Sequence, residues 1–88
     1  MTDDLGLTNQ PLGQVPPGRR VRITGHKGGR MLRARLLALG LNLGREVDIL
    51  QNNRGLIILG VNGGRIALGR GVTQKILVEP LNEAGTKG

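Results

Sequence analysis

The sequence predicts a small, mainly β protein: a closed or nearly closed barrel of about five short strands, with one inserted α-helix and a short 3₁₀ turn. Three observations carry this prediction. The apolar runs are short and rich in Leu, Ile and Val, the 16 glycines fall between them as turn markers, and one segment lacks Gly, Pro and β-branched residues altogether. Short strands with tight turns favour closure, because closure removes exposed sheet edges.

The barrel domain is predicted to cover residues 11–82. Residues 1–10 and 83–88 are polar and show no apolar periodicity, so we expect flexible tails at both ends. At the start of the domain, Leu12 to Val15 form a short helical turn, followed by a Pro-Pro-Gly turn.

The first long strand is predicted at residues 19–24, where apolar and basic or polar residues alternate. Val21 and Ile23 fall on the inner face of this strand, and arginines fall on the outer face. Residues 25–29 are glycine-rich and are predicted to form a turn, which places His26 in a solvated loop.

The single substantial helix is predicted at about residues 30–39. It ends at Gly40, because glycine accepts the left-handed conformation that commonly terminates a helix. Leu32, Leu36 and Leu39 lie on one face of the helix, at spacings of four and three, and we expect this face to pack on the barrel.

The opposite face of the helix is also apolar, although arginines border it. A partly exposed apolar surface bordered by charge is typical of a protein interface. The predicted interaction surface consists of Arg30, Arg33, Ala34, Leu37, Ala38 and Leu41. Burial under the N-terminal tail or a loop is the alternative explanation for these apolar residues.

The remaining strands are predicted at residues 46–50, 56–61, 65–68 and 75–78. Asn62-Gly63 is a typical two-residue hairpin turn, since both residue types accept positive φ. Residues 69–74 have the length of a 3₁₀ turn.

The composition argues against catalysis and against cofactor or metal binding. The chain has one His, no Cys, no Tyr and six scattered acidic residues, too few for a catalytic or metal-binding cluster. It shows neither a signal peptide nor an apolar run long enough to span a membrane, so we expect a cytoplasmic protein that is not an enzyme.

The formal net charge of +7 raises the alternative of a nucleic-acid-binding barrel of ribosomal or Sm-like type. A basic patch is predicted from Arg19, Arg20, Arg22 and Lys27, and residues 25–28 match the GXXG pattern of KH domains. Nucleic acid is nevertheless the less favoured partner, because the chain has no aromatic side chain on which a base could stack.

Residues 33–47 resemble the signature of the ferrous iron transport protein A (FeoA) family. In that signature a helix ends in Leu-Gly-Leu, as at residues 39–41, and a glycine such as Gly44 precedes the next strand. Residues 12–18, 64–68 and 75–78 are similar to other parts of the family, in the same order. Leu43 and Gly69 depart from the family pattern, which usually has Pro and often Arg at these positions.

The resemblance implies an SH3-like barrel, a fold that also forms the C-terminal domain of iron-dependent repressors. It implies an accessory or regulatory role in ferrous iron uptake, exerted by binding FeoB, a membrane transporter with a cytoplasmic GTP-binding domain. We expect the apolar helix face to make that contact, or else a contact with a second copy of the chain.

Overall fold

The protein forms one curled antiparallel sheet with a single long helix beside it. The structure, a computed structural model, describes residues 9–81. The strands are β1 (Gln10–Pro11), β2 (Arg20–His26), β3 (Glu46–Asn53), β4 (Leu56–Val61), β5 (Gly64–Leu68) and β6 (Ile76–Pro80). The helices are a 3₁₀ turn (Leu12–Gln14), α1 (Arg30–Ala38) and α2 (Arg70–Thr73).

The strand order across the sheet is β1-β6-β2-β3-β4-β5. Tight hairpins join β3 to β4 and β4 to β5, and the second turn places Asn62 and Gly63 at φ values of 51° and 80°. These angles confirm the predicted hairpin. The register shifts within β2 and within β3 indicate bulges, which increase the local twist and help the sheet to curl.

The core inside the sheet is entirely aliphatic, apart from the buried Thr73. Alternate residues of β2, β3, β4 and β6 point into it, as the strand periodicity predicts. The buried apolar residues of the described chain are Leu12, Val15, Val21, Ile23, Leu36, Leu41, Val47, Ile49, Ile57, Leu59, Val61, Leu68, Ile76 and Val78.

Hydrogen bonds from side chains tie the β3–β4 hairpin to the 3₁₀ turn that follows β1 and to α2. Asn52 donates through Nδ2 to the carbonyls of Gly13 (3.0 Å) and Val15 (2.7 Å), and its Oδ1 accepts from the Gly55 amide (2.9 Å). Thr73 donates to the Gly55 carbonyl at 2.6 Å. We call Asn52 and Thr73, with the backbone groups they bind, the barrel clasp.

The helix α1 ends through the predicted glycine at position 40, and its last helical residue is Ala38, one residue earlier than predicted. Leu39 is its C-cap and Gly40 has a φ of 80°. The Gly40 amide donates to the Leu37 carbonyl and the Leu41 amide to the Leu36 carbonyl, the paired bonds of a Schellman motif. Leu32 and Leu39 pack against the core with the buried Leu36, so the predicted inner face is confirmed.

Three sequence predictions of local structure were wrong. Gln10, assigned to the N-terminal tail, pairs with Val78 in β1. His26, assigned to a glycine-rich loop, is the last residue of β2 and pairs with Ile76. Residues 69–74 contain the short α-helix α2 rather than a 3₁₀ turn. Of the predicted tails, residues 1–10 and 83–88, the parts at 1–8 and 83–88 lie outside the described residues.

The only long helix among residues 9–81 is α1, and no helix in that range has the length and hydropathy needed to cross a membrane.

Candidate protein-binding groove

A groove of about 340 Å³ runs along one flank of α1. The helix forms one wall, the loop that follows the helix forms the other, and the end of β2 closes one side. We call this feature the helix groove; its lining residues are His26, Arg33, Leu36, Leu37, Leu41, Asn42 and Leu43.

The loop wall of the groove is held in place by backbone hydrogen bonds. After the Schellman motif reverses the chain at Gly40, the Gly44 amide donates to the Ile23 carbonyl (2.7 Å). The Ile23 amide donates in return to the Arg45 carbonyl (2.9 Å). Both ends of the loop are therefore attached to the rest of the fold by backbone hydrogen bonds.

The groove has a buried floor and exposed apolar rims. Leu36 and Leu41 are only 3% and 1% exposed and belong to the core. Leu37 on the helix and Leu43 on the loop are 53% and 59% exposed. Two half-exposed leucines on facing walls leave apolar surface in water, which burial against a partner would remove.

His26 contributes a polar group to this apolar groove. Its ring is half-buried at the end of β2, and its Nδ1 atom is buried without a hydrogen-bond partner among the described residues. Buried polar side-chain atoms usually have a partner, so this nitrogen is an exception among the described residues.

The structure separates the residues of the predicted interaction surface. Arg33, Leu37 and Leu41 line the helix groove. Arg30, Ala34 and Ala38 are exposed on α1 but do not line the groove. The expectation that Leu41 is partly exposed was wrong, because the Schellman motif turns it into the core, where only one side of it faces the groove.

Sequence reasoning missed the loop wall and the His26 end of the groove. Asn42 and Leu43 lie beyond the helix, so a helical projection could not place them. A signal was present at Leu43, where the resemblance to the FeoA family calls for proline and the chain has an exposed leucine.

The predicted basic patch does not form one continuous surface. Arg20 pairs with Glu46 (3.5 Å) and Asp48 (3.4 Å), and Arg22 pairs with Glu79 (2.8 Å) and Glu46 (3.5 Å). These five side chains form what we call the outer ion-pair network, which combines two positive charges with three negative ones.

Arg19 and Lys27, the other two residues of the predicted patch, flank opposite ends of β2. The strand between them has seven residues and is therefore about 23 Å long. A single phosphate group cannot bridge that distance, and the arginines between them are already paired.

The apparent GXXG motif is explained by packing. Gly25 and His26 belong to β2, so the motif is not a loop between two helices. Gly28 lies under Leu32 of α1, where an added Cβ would come within 2.7 Å of the Leu32 Cβ. Glycine at position 28 therefore allows the chain to pass close to the Leu32 side chain just before the helix begins.

Among residues 9–81, no three His, Asp or Glu side chains lie close enough together to hold a metal ion.

Comparison with known proteins identifies the family. Residues 10–80 match the FeoA domain family. A Methanocaldococcus jannaschii protein named "Putative Fe(2+) transport protein A" is 32% identical over 75 residues, which cover 85% of this chain and 92% of the relative.

Solved structures agree with this match. A crystal structure of an iron uptake regulatory protein, FeoA, has 31% identity and a TM-score of 0.77, covering 83% of this chain and 99% of that one. A manganese-dependent transcriptional repressor has 17% identity and a TM-score of 0.76, covering 83% of this chain and 41% of the repressor; this likeness concerns the fold alone. The chain, with its SH3-like barrel, belongs to the FeoA family.

Proposed function

We propose that this chain is a cytoplasmic accessory protein of ferrous iron uptake and that it acts by binding the FeoB transporter through the helix groove. Membership of the FeoA family supports the role in ferrous iron transport. The observation that carries the binding mode is the pair of half-exposed leucines, Leu37 on the helix wall and Leu43 on the loop wall of the groove.

Burial of these two leucine side chains contributes free energy to binding. Complete burial of a leucine side chain is worth roughly 1.5–3 kcal/mol, and about half of each side chain is still exposed. Burial of the two side chains therefore contributes a binding free energy of about 2 kcal/mol. This is enough for the central anchor of an interface whose surrounding polar contacts add specificity.

The proposal requires binding and no chemical step in this chain. The effect on iron uptake then arises in the transporter, whose cytoplasmic GTP-binding domain offers the surface for contact. Two features disfavour binding to nucleic acid. Arg20 and Arg22 are engaged in the outer ion-pair network, and the chain has no aromatic residue on which a base could stack.

The test is binding to FeoB from the same organism, reconstituted in lipid nanodiscs and immobilised for biolayer interferometry. The parent chain is compared with Leu37→Arg in the groove and Leu56→Arg on β4, where Leu56 is also half-exposed. We expect Leu37→Arg to weaken binding by tenfold or more and Leu56→Arg to retain it. Absence of binding by the parent chain, together with unchanged FeoB GTPase activity, would contradict the proposed function.

A further inference from the structure

We infer that the helix groove recognises an acidic, aliphatic segment of its partner, with an aliphatic side chain seated between Leu37 and Leu43 and a carboxylate bound by Arg33. The inference rests on the proposed function and adds the chemistry of the occupant. Its first support is shape: a groove of about 340 Å³ with leucine on both walls accommodates a few side chains, and its buried floor is already aliphatic.

The second support is charge. Every acidic side chain in residues 9–81 belongs to the outer ion-pair network, on the outward face of β2, β3 and β6. Arg33 lines the groove and has no ion-pair partner within the described residues. Lys27 and Arg30 lie just before and at the start of the helix and add positive charge. The charge around the groove is therefore complementary to an anionic segment.

Arginine is suited to this role because its planar guanidinium binds a carboxylate with two parallel hydrogen bonds. Docking of the segment on the apolar walls would exclude water from this contact, which would then be less screened than an exposed surface pair.

The third support is the imidazole of His26. Its ring lines the same groove as Arg33 and adds a second polar group to an otherwise mostly apolar lining. The groove thus combines an apolar seat with a guanidinium and an imidazole, the arrangement expected for a short peptide segment that alternates aliphatic and acidic residues.

The experiment uses overlapping fluorescein-labelled peptides that cover the cytoplasmic regions of FeoB, with binding to the full chain measured by fluorescence polarisation. For each binding peptide a partner peptide is made in which Asp and Glu become Asn and Gln. The protein variants are Arg33→Ala and a matched control, Arg35→Ala. Arg35 carries the same charge on the same helix but points about 200° away around its axis and does not line the groove.

We expect the binding peptides to contain a carboxylate within a few residues of Leu, Ile or Val. Loss of the carboxylate and loss of Arg33 should each weaken binding about tenfold, the usual effect of removing a charge-assisted hydrogen bond. The two changes should not add, because they remove the same contact. Arg35→Ala should weaken binding less than twofold.

Equal weakening by Arg33→Ala and Arg35→Ala would overturn the inference, because it would indicate general electrostatic attraction. The inference would also be overturned if the peptides kept their affinity after Asp and Glu were replaced by Asn and Gln. If the parent chain self-associates and Leu37→Arg does not, the occupant of the groove is a second copy of the chain. If deletion of residues 1–8 changes the NMR chemical shifts of the amides that line the groove, the occupant is the chain's own N-terminal segment. Either result also overturns the inference. If FeoB in nanodiscs binds the parent chain but these tests fail, the proposed function stands and only the occupant chemistry is wrong.

Discussion

Replacing Asn52 by alanine is predicted to open the barrel clasp. The substitution removes three hydrogen bonds, two donated by Nδ2 to Gly13 and Val15 and one accepted by Oδ1 from Gly55. At a net value of about 1 kcal/mol for each bond, the loss is about 3 kcal/mol. Small domains have a free energy of unfolding of about 5 kcal/mol or somewhat more, so this is a large fraction of the total.

The assay is thermal unfolding followed by far-ultraviolet circular dichroism. For a domain of this size, 1 kcal/mol corresponds to roughly 4–8 °C, so we expect Asn52→Ala to lower the Tm by about 15 °C. Asn53→Ala is the matched control, because Asn53 is the exposed neighbour at the end of the same strand. Its Tm should change by only a few degrees.

A second measurement locates the effect. The Gly55 amide donates a hydrogen bond to Asn52 Oδ1, so its hydrogen should exchange with deuterium faster in Asn52→Ala. Amides in the centre of the β2–β6 pairing should keep most of their protection. If the Tm of Asn52→Ala lies within about 3 °C of the parent's, the hydrogen bonds of the barrel clasp do not stabilise the barrel and this reasoning is refuted.

Two further substitutions test the packing around the groove. Gly28→Ala should lower the free energy of unfolding by about 2 kcal/mol, since the new methyl group collides with Leu32, and urea unfolding will measure it; no loss would show that Leu32 moves aside without cost. Leu41→Ala should lower the same quantity by about 3 kcal/mol, because Leu41 is fully buried, whereas Leu43→Ala should cost less than about 1 kcal/mol. Equal losses of unfolding free energy in the two variants would contradict the assignment of Leu41 to the buried floor of the groove and of Leu43 to its exposed wall.

Local patterns were enough to predict most of the barrel. The alternation in β2 identified Val21 and Ile23 as inward residues, and Asn62-Gly63 identified the β4–β5 turn. The β4 strand was predicted with the bounds that the structure shows, Leu56–Val61. Each of these features depends on residues close together in the sequence, which is why a single sequence reveals them.

Features that depend on distant partners were missed. The strand β1 has two residues, one of them proline, and it forms only because β6 offers an edge for pairing. The strand β2 continues through glycine to His26 because a bulge lets the pairing with β6 resume at Leu77 and Ile76. A glycine-rich segment without a visible partner is naturally interpreted as a turn.

The groove itself could be predicted only in part. A helical projection placed Leu37 and Arg33 on an accessible flank, and both line the groove. It failed at Leu41, because the chain reverses at Gly40 and the helical spacing no longer applies. The opposite wall, with Leu43, depends on the hydrogen bonds between the loop and β2, which no local pattern encodes.

The most direct test of the account is the effect of Leu37→Arg on binding to FeoB in nanodiscs. Leu37 is 53% exposed, so the variant should fold, with a Tm within a few degrees of the parent. A charged side chain on the groove wall should nevertheless weaken FeoB binding by tenfold or more, since docking would bury it against leucines. A folded Leu37→Arg variant that binds FeoB as tightly as the parent and Leu56→Arg would contradict the assignment of the helix groove as the binding site.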